Sequence, residues 1–239
     1  MGSPGTRHVG VLAAMPIELR PFAKALSLQR EPWVDRSSVW RGRVGSTAVT
    51  AGITGIGPAR AMETTRRLLG SFAVDLVVMI GVAGGLDPSL GIGDLVVPES
   101  VLDGATGRHY RPTTPVGHTP AGVLHTSATI VHDDAEFDRL RAAGVVALDM
   151  ETAGVGAVCE AEHRPWYVFR AVSDRVADGI VDQSSLAMTR PDGSADLGAV
   201  ARLVLRRPRV LGQLVKLGRD TARATAAISG AAVAECRRS

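Results

Sequence analysis

Residues 148–178 read LDMETAGVGAVCEAEHRPWYVFRAVSDRVAD and combine a helical pattern with a buried strand. Apolar residues recur at helical spacing from Met150 to Val158, which predicts a helix with Glu151 in its first turn. The apolar run Trp166–Val172 follows a turn-like His-Arg-Pro and is typical of a strand buried on both faces. Asp174 comes directly after this strand, at the edge where open α/β sheets bind their ligands. The stretch therefore predicts an α/β fold with two carboxylates near one site.

Two further apolar strands are each followed in the chain by residues of possible functional importance, a glutamate in one case and a run of glycines and other small residues in the other. His8–Ala14 is such a strand, and the helix that opens at Met15-Pro16 has Glu18 in its first turn. The helix dipole favours a carboxylate there in any protein, so Glu18 alone does not indicate a site. Asp75–Ile80 is an evident buried strand, and the stretch Gly81–Gly85 after it has almost no side chains. A ligand can therefore approach the backbone closely at these glycines.

The bulk composition argues against several classes of protein. The 27 basic and 24 acidic residues leave a net charge of +3, too small to indicate a nucleic-acid partner. The two cysteines, Cys159 and Cys236, provide neither a disulfide framework nor the spacing of metal ligands. No apolar run reaches the roughly 18 residues of a membrane span, and the N-terminus lacks a signal-peptide pattern. We therefore expect a soluble, cytoplasmic protein without a metal.

A dinucleotide cofactor is not expected either. Gly55-Ile56-Gly57 begins like a dinucleotide-binding loop, but Arg60 stands where the third glycine is required. No acidic residue stands at the ribose-reading position after a following strand. The glycines indicate instead that the backbone passes close to a ligand or to another strand.

Four motifs together resemble the nucleoside phosphorylase and nucleosidase superfamily, most closely the bacterial 5'-methylthioadenosine/S-adenosylhomocysteine nucleosidases. They occur in the family's order: Gly10–Met15 with Glu18, Gly81–Pro88 running on to Gly93-Asp94, Asp149-Met150-Glu151, and Ser173-Asp174. The resemblance implies a three-layer α/β/α sandwich around a mixed, largely parallel twisted sheet. It also implies a homodimer. The chain length and apolar content predict a single domain over residues 1–239.

The resemblance implies that the carboxylates cleave the N-glycosidic bond of a purine nucleoside. Asp174, oriented by Ser173, would donate a proton toward N7 of the base. Glu151 would accept hydrogen bonds from the ribose 2'- and 3'-hydroxyls, with Met150 packed on the sugar. Glu18 would take a proton from the attacking water. The other residues implied to contact the substrate are Ala14, Val82, Ala83, Gly84, Ile130 and Val131.

The identity of the nucleophile, water or phosphate, is the main alternative left open. Purine phosphorylases resemble this chain but carry an arginine and a serine, both holding phosphate, in place of Met79 and Val82. Neither residue here can bind an anion, which favours hydrolysis of a 5'-substituted adenosine to free adenine. Phosphorolysis stays open because Arg20, Arg60 or Arg108 can supply a cation from elsewhere. A non-catalytic nucleoside-binding protein is a third alternative, although such a protein would not need the three carboxylates that this chain keeps.

The resemblance weakens in the segment that follows Gly93-Asp94. The Gly-, Pro- and Thr-rich stretch Asp103–Gly122 is interpreted as an active-site loop. It lies between predicted strands at Leu95–Leu102 and His125–Val131, and Asp134–Ala143 is predicted to be a surface helix.

The C-terminal region, about residues 190–239, is a divergent tail with predicted helices at Ala195–Leu205 and Val210–Ala234. The tail is similar to that of hopanoid-associated nucleoside phosphorylases, a branch of the same superfamily. Its second helix is basic and amphipathic. Such a helix packs on its own domain or lies on a membrane surface, and the sequence leaves both alternatives open.

Overall fold

The structure is a computed structural model that describes residues 7–34, 37–129, 131, 133–175 and 210–238. Within these ranges the strands are β1 (His8–Ala13), β2 (Gln29–Pro32), β3 (Ser38–Val44), β4 (Thr47–Ile53), β5 (Leu76–Gly85), β6 (Leu95–Val96), β7 (Ser100–Asp103), β8 (His109–Tyr110), β9 (Val123–Thr126), β10 (Val145–Asp149) and β11 (Trp166–Arg175). The helices are α1 (Pro16–Ala25), α2 (Pro58–Ser71), α3 (Asp134–Ala142), α4 (Thr152–Ala161) and α5 (Val210–Cys236).

Four neighbouring strands of the sheet run parallel to one another. β1 pairs in parallel with β4 on one side and with β5 on the other. β11 pairs in parallel with the far side of β5. The carboxyl ends of these strands therefore meet at one edge of the sheet in the order β4, β1, β5, β11, and this edge is where α/β sheets place their ligands.

The central strand β5 changes its neighbour along its length. β1 accompanies it only as far as Ile80, and the antiparallel strand β10 joins it at Gly84. β11 stays paired along the other side as far as Gly85. Between the ends of β1 and β10, the backbone groups of β5 on that side lack a strand partner. Val82 lies in this gap, and its N–H and C=O are available to side chains.

Helices cover both faces of the sheet. Alternate residues of a strand point to opposite faces, so an apolar strand such as β5 contributes side chains to a core on each side. Val78 and Ile80 of β5 belong to the apolar core that α1 and α5 complete. Val77 and Met79 belong to the core on the other face, which α2 and α4 complete. The predicted α/β fold, with a mixed and largely parallel sheet between helical layers, is confirmed.

The helix α5 packs on the face of the sheet that α1 also covers. Its buried side chains recur every four residues from Ala224 to Cys236 and join the core of Leu19 and Phe22. Arg7, just before β1, donates to the buried carboxylate of Glu235 at 2.6 Å. This part of the helix thus uses its apolar face inside the protein. Of the helices in the described ranges, none combines the length and apolarity that crossing a bilayer requires.

Several predicted strand boundaries were wrong. The strand predicted to end at Ile80 continues through Gly81–Gly85 as the second half of β5, because pairing with β11 extends to Gly85. The predicted strand Leu95–Leu102 is divided into β6 and β7, since Pro98 between them has no N–H to donate. The predicted strand His125–Val131 stops with β9, because its partner β10 ends at the same level.

Two other predictions concern segments around these strands. The Asp103–Gly122 stretch contains β8, in which the buried Tyr110 pairs with Val101 of β7, and so is not entirely a loop. The predicted helices at Asp134–Ala143 and Val210–Ala234 correspond to α3 and α5. The predicted helix Ala195–Leu205 lies outside the described residues.

Helices α2 and α4 pack closely at Gly154, where a Cβ atom would lie 2.2 Å from the carbonyl oxygen of Pro58. We expect Gly154→Ala to push the two helices apart and to lower the free energy of unfolding by about 1–3 kcal/mol. Urea unfolding followed by circular dichroism measures this change.

Gly70→Ala is the matched control for this substitution. Gly70 is an exposed residue of α2, and a Cβ atom there meets nothing within 4 Å. This variant should be more stable than the parent by about 0.5–1 kcal/mol, since alanine favours the helical backbone. Two variants of equal stability would contradict the close packing at Gly154.

Candidate active site

Glu18 is a buried carboxylate that connects two strands of the ligand-binding edge. Its Oε2 accepts the backbone N–H of Met15 at 2.8 Å, which closes the first turn of α1 as half of a capping box. Its Oε1 accepts the N–H of Val82 at 2.9 Å, in the gap beside β5. The carboxylate is 1% exposed and is held rigidly by these two donors.

Arg170, on β11, is a completely buried cation whose principal partner is Asp149 at the end of β10. Its Nη2 donates to Oδ2 of Asp149, and its Nη1 donates to the carbonyl of Val82 at 3.3 Å. The hydroxyl of Thr152 accepts the Nε–H of Arg170 at 3.2 Å and donates to Asp149. Thr126 donates to the other oxygen of Asp149 at 2.6 Å. The ion pair is therefore hydrogen-bonded on several sides, as a buried charge requires.

Glu151 lies at the N-cap of α4, one position before the helical turn in which the sequence predicted it. Its Oε1 accepts the N–H of Gly57 at 3.0 Å, and its Oε2 is 3.5 Å from Nη2 of Arg170. Gly57 has a φ of 105°, a conformation that favours glycine. Gly57 thus helps to hold the carboxylate of Glu151 in place.

The guanidinium of Arg170 occupies the space that a side chain at residue 81 would fill. A Cβ atom on Gly81 would lie 1.9 Å from Nη1 of Arg170 and 2.8 Å from Oε1 of Glu18. Glycine at this position therefore lets the cation and the carboxylate come together over β5. The glycine-rich stretch, interpreted from the sequence as a bare wall for a ligand, also makes room for this charged network.

Asp174 lies at the end of β11, partly buried, at the same edge of the sheet. The hydroxyl of Ser173 donates to its Oδ1 at 2.6 Å. Strand pairing places Asp174 beside Gly84, which in turn pairs with Leu148 near the end of β10. The orienting role of Ser173 stays a prediction, and the hydrogen bond shows that its hydroxyl lies within reach of Asp174.

Burial shifts the titration of the two glutamates. It raises the pKa of Glu18, against the opposing effects of Arg170 and of the N–H groups that the carboxylate accepts. It also raises the pKa of Glu151; Arg170 opposes this effect, and the charges of Asp149 and Glu18 add to it. One guanidinium thus faces three carboxylates. A carboxylate with a raised pKa is suited to accept a proton near neutral pH.

Most of the backbone positions predicted to contact a ligand adjoin this network. The carbonyl of Ala14 accepts the N–H of Gly55 at 3.1 Å, at the junction of β1 and β4. Val82 binds Glu18 and Arg170 through its backbone, and Ala83 and Gly84 continue β5 from it. Met150, whose chain neighbours are Asp149 and Glu151, is half-buried.

The two predicted contacts at residues 130 and 131 are of a different kind. Val131 packs against the small apolar core of Phe137 and Leu140 on α3. Ile130 lies outside the described residues.

Sequence reasoning missed Arg170, although its signal was visible. Arg170 is a charged residue within Trp166–Val172, an otherwise apolar run that was predicted to be buried on both faces, and a buried charge needs a partner. Nothing in the local sequence indicated that Thr126 and Thr152 bind Asp149 or that Gly57 binds Glu151. Their roles depend on neighbours that are distant in the sequence.

The three arginines considered as phosphate ligands lie in two different places. Arg108 pairs with Glu160 at 3.5 Å and stacks over the ring of Tyr110, next to α4. Arg20 and Arg60 line one cleft beside the carboxylates. In the described ranges, no group of three or more His, Cys, Asp and Glu residues has an arrangement that would hold a metal ion.

Known proteins resemble this chain in both sequence and fold. The family model described as "Phosphorylase superfamily" matches residues 8–121. The 5'-methylthioadenosine/S-adenosylhomocysteine nucleosidase of Anoxybacillus flavithermus is 27% identical over 197 residues, which span 70% of this chain and 85% of the relative. The nucleosidase of the same name from a Marinomonas species is 27% identical over 196 residues, which span 70% of this chain and 85% of that protein.

Solved structures have the same fold at lower identity. The Helicobacter pylori 5'-methylthioadenosine/S-adenosylhomocysteine nucleosidase superposes with a TM-score of 0.72 at 17% identity, over 97% of this chain and 98% of that one. The futalosine hydrolase of Helicobacter pylori superposes with a TM-score of 0.72 at 17% identity, over 95% of this chain and 96% of that one. At such identities the likeness shows the fold alone.

Replacing Arg170 by an apolar side chain of similar length tests the buried network. We expect Arg170→Met to lower the free energy of unfolding near neutral pH by about 3–5 kcal/mol, because the buried carboxylates lose their cation. The loss should shrink as the pH falls. Without the cation, the carboxyl pKa values of the folded state rise further above the unfolded values, so stability is present at low pH and is lost as the pH rises.

Urea unfolding of the parent and the variant between about pH 5 and 8 measures this dependence. Arg66→Met is the matched control, since Arg66 is an exposed residue of α2 and should change stability little at any pH. A loss in Arg170→Met that did not vary with pH would show that packing, and not charge, explains the effect.

Proposed function

We propose that this chain is a nucleosidase of the phosphorylase superfamily, whose family model matches residues 8–121, and that it hydrolyses the N-glycosidic bond of a purine nucleoside. The substrate that we propose is a 5'-substituted adenosine, cleaved to free adenine and the ribosyl product. The curated relatives support this proposal, since they are named as nucleosidases of 5'-methylthioadenosine and S-adenosylhomocysteine.

The observation that carries the proposal is the position of Glu18. Its carboxylate is buried, fixed by the N–H groups of Met15 and Val82, and has a raised pKa. It can therefore accept a proton from a water molecule at the ligand-binding edge. A phosphate dianion at the same place would be repelled by Glu18 and Glu151. Met79 offers it no donor, because that side chain is completely buried in the apolar core.

The proposed reaction divides the work among the three carboxylates. As the bond between C1' and the base breaks, its electron pair moves to the base, and Asp174 donates a proton to N7. Glu151 holds the ribose hydroxyls while positive charge develops on the sugar. Water attacks C1' and transfers a proton to Glu18. Arg170 keeps Glu151 and the backbone of Val82 in place, and we regard it as a positioning residue.

Phosphorolysis is the second candidate, and one observation favours it. Arg20 and Arg60 were considered from the sequence as possible phosphate ligands. Both line the same cleft next to the site. A non-catalytic nucleoside-binding protein is less well supported, because binding alone does not need a buried glutamate with a raised pKa.

Three expectations from the sequence stay predictions. They are a single domain over residues 1–239, a homodimer and a cytoplasmic location. Light scattering of the purified chain tests the dimer, and sedimentation with anionic vesicles tests contact of the tail with a membrane.

The nucleophile is tested with a panel of purine nucleosides in the presence and absence of phosphate. We expect base release in phosphate-free buffer, with a free ribosyl sugar as the second product, because Glu18 activates water. Chromatography of both products measures the outcome. Strict dependence on added phosphate, with a ribose 1-phosphate as product, would establish the phosphorolytic alternative.

Asp174→Asn tests the proton donor. The amide preserves the shape of the side chain but cannot transfer a proton as the acid does, so turnover should fall by about 10²–10⁴ with little change in ligand affinity. Single-turnover kinetics and calorimetry measure the two quantities. Asp138→Asn, a substitution at an exposed residue of α3, is the control. Turnover of Asp174→Asn within about tenfold of the parent would remove Asp174 from this role.

A further inference from the structure

A cleft of about 830 Å³ opens beside the carboxylate site, between α1 and the strands β2 to β4. Part of its lining is apolar and includes Leu19, Leu28 and Trp40. Thr54 and Gly55, which follow β4, also line it. The cleft therefore begins where the ligand-binding edge of the sheet ends.

The charged residues that the structure describes in the lining of this cleft all have the same sign. They are Arg20, Lys24, Arg30 and Arg60, and none of the described lining residues is a carboxylate. Arg20 and Lys24 are four residues apart on α1, and both are exposed. Within the described part of the chain, neither has an ion-pair partner. A concave surface lined by cations concentrates positive potential and attracts anions. We call it the cationic cleft.

The order of the strands relates the cationic cleft to the carboxylates. Along the edge, Asp174 belongs to β11, Glu18 follows β1, and Thr54 follows β4. Neighbouring strands are about 4.8 Å apart, so β4 is roughly 14 Å from β11. In the reaction proposed above, the base lies at Asp174 and C1' near Glu18, so the remaining atoms of the nucleoside extend toward β4. With Glu151 holding the 2'- and 3'-hydroxyls, the 5'-carbon then points to the cleft.

We propose that the cationic cleft binds an anionic group, a carboxylate or a phosphate, on the 5'-substituent of the nucleoside. This proposal rests on the nucleosidase function proposed above. The apolar residues of the cleft contact the chain that links the ribose to the anion, and Arg20 and Lys24 bind the anion itself. The substrate class is therefore a purine nucleoside with an acidic 5'-extension.

Three adenosine derivatives with 5'-thioether chains of equal length test this proposal. One chain ends in a carboxylate, one in the neutral amide and one in an amine. We expect kcat/KM to decrease in the order carboxylate, amide, amine, and the ratio of carboxylate to amide to fall as salt is added. Arg20→Gln and Lys24→Gln should each lower that ratio about 2- to 5-fold, the range of an exposed ion pair.

Arg66→Gln is the matched control, because Arg66 is exposed on α2 and is not part of the cleft. The ratio of carboxylate to amide should be the same in this variant as in the parent. A ratio near one in the parent, with base released from both compounds, would overturn the cationic cleft and leave the nucleosidase function standing. Base release only with added phosphate would also overturn it, because the cations would then serve the nucleophile.

If none of the three compounds is cleaved, the proposed function fails and binding alone tests the cleft. Titration calorimetry of the carboxylate compound should then show affinity that falls with salt and with Arg20→Gln, but not with Arg66→Gln. Affinity equal to that of the amide compound would overturn the proposal.

Discussion

The structure around the candidate site depends on one buried guanidinium, that of Arg170. Burying a cation is costly unless it is paired and hydrogen-bonded, and here Asp149, Glu151 and the carbonyl of Val82 meet that need. The buried guanidinium also restricts which residues can stand around it. Residue 81 must be glycine to leave room for the guanidinium, and the hydroxyl of Thr152 must lie between the cation and Asp149. The ends of β5, β10 and β11 are thereby held at one fixed geometry.

The same network keeps carboxylates buried at a cost to stability. Burial raises the pKa of Glu18 and of Glu151, and a single cation offsets only part of their charge. Folding is therefore opposed wherever these groups are ionised, and the opposition grows as the pH rises. A protein selected for stability alone would have no use for such an arrangement. Its presence at the carboxyl ends of parallel strands is the reason to regard it as catalytic machinery.

Sheet topology supplies the opening that the chemistry needs. β1 leaves β5 after Ile80, and β10 joins at Gly84, so that the backbone of Val82 is free to bind both Glu18 and Arg170. The same strand order places β4 on the far side of β1, where the cationic cleft begins. Asp174, Glu18 and the cationic cleft thus follow one another along a single edge of the sheet. A ligand lying along that edge meets them in this order.

The sequence by itself determined the fold class, the strands β1, β5 and β11, and the three carboxylates Glu18, Glu151 and Asp174. These features depend on local periodicity and on short motifs, which are properties of neighbouring residues. Only the tertiary structure decided that Arg170 pairs with Asp149, that β5 continues through its glycines, and that Arg20 and Arg60 share a cleft. The physical reason is that each of these contacts joins segments distant in the chain, where strand pairing and the partners of a buried charge are set by packing.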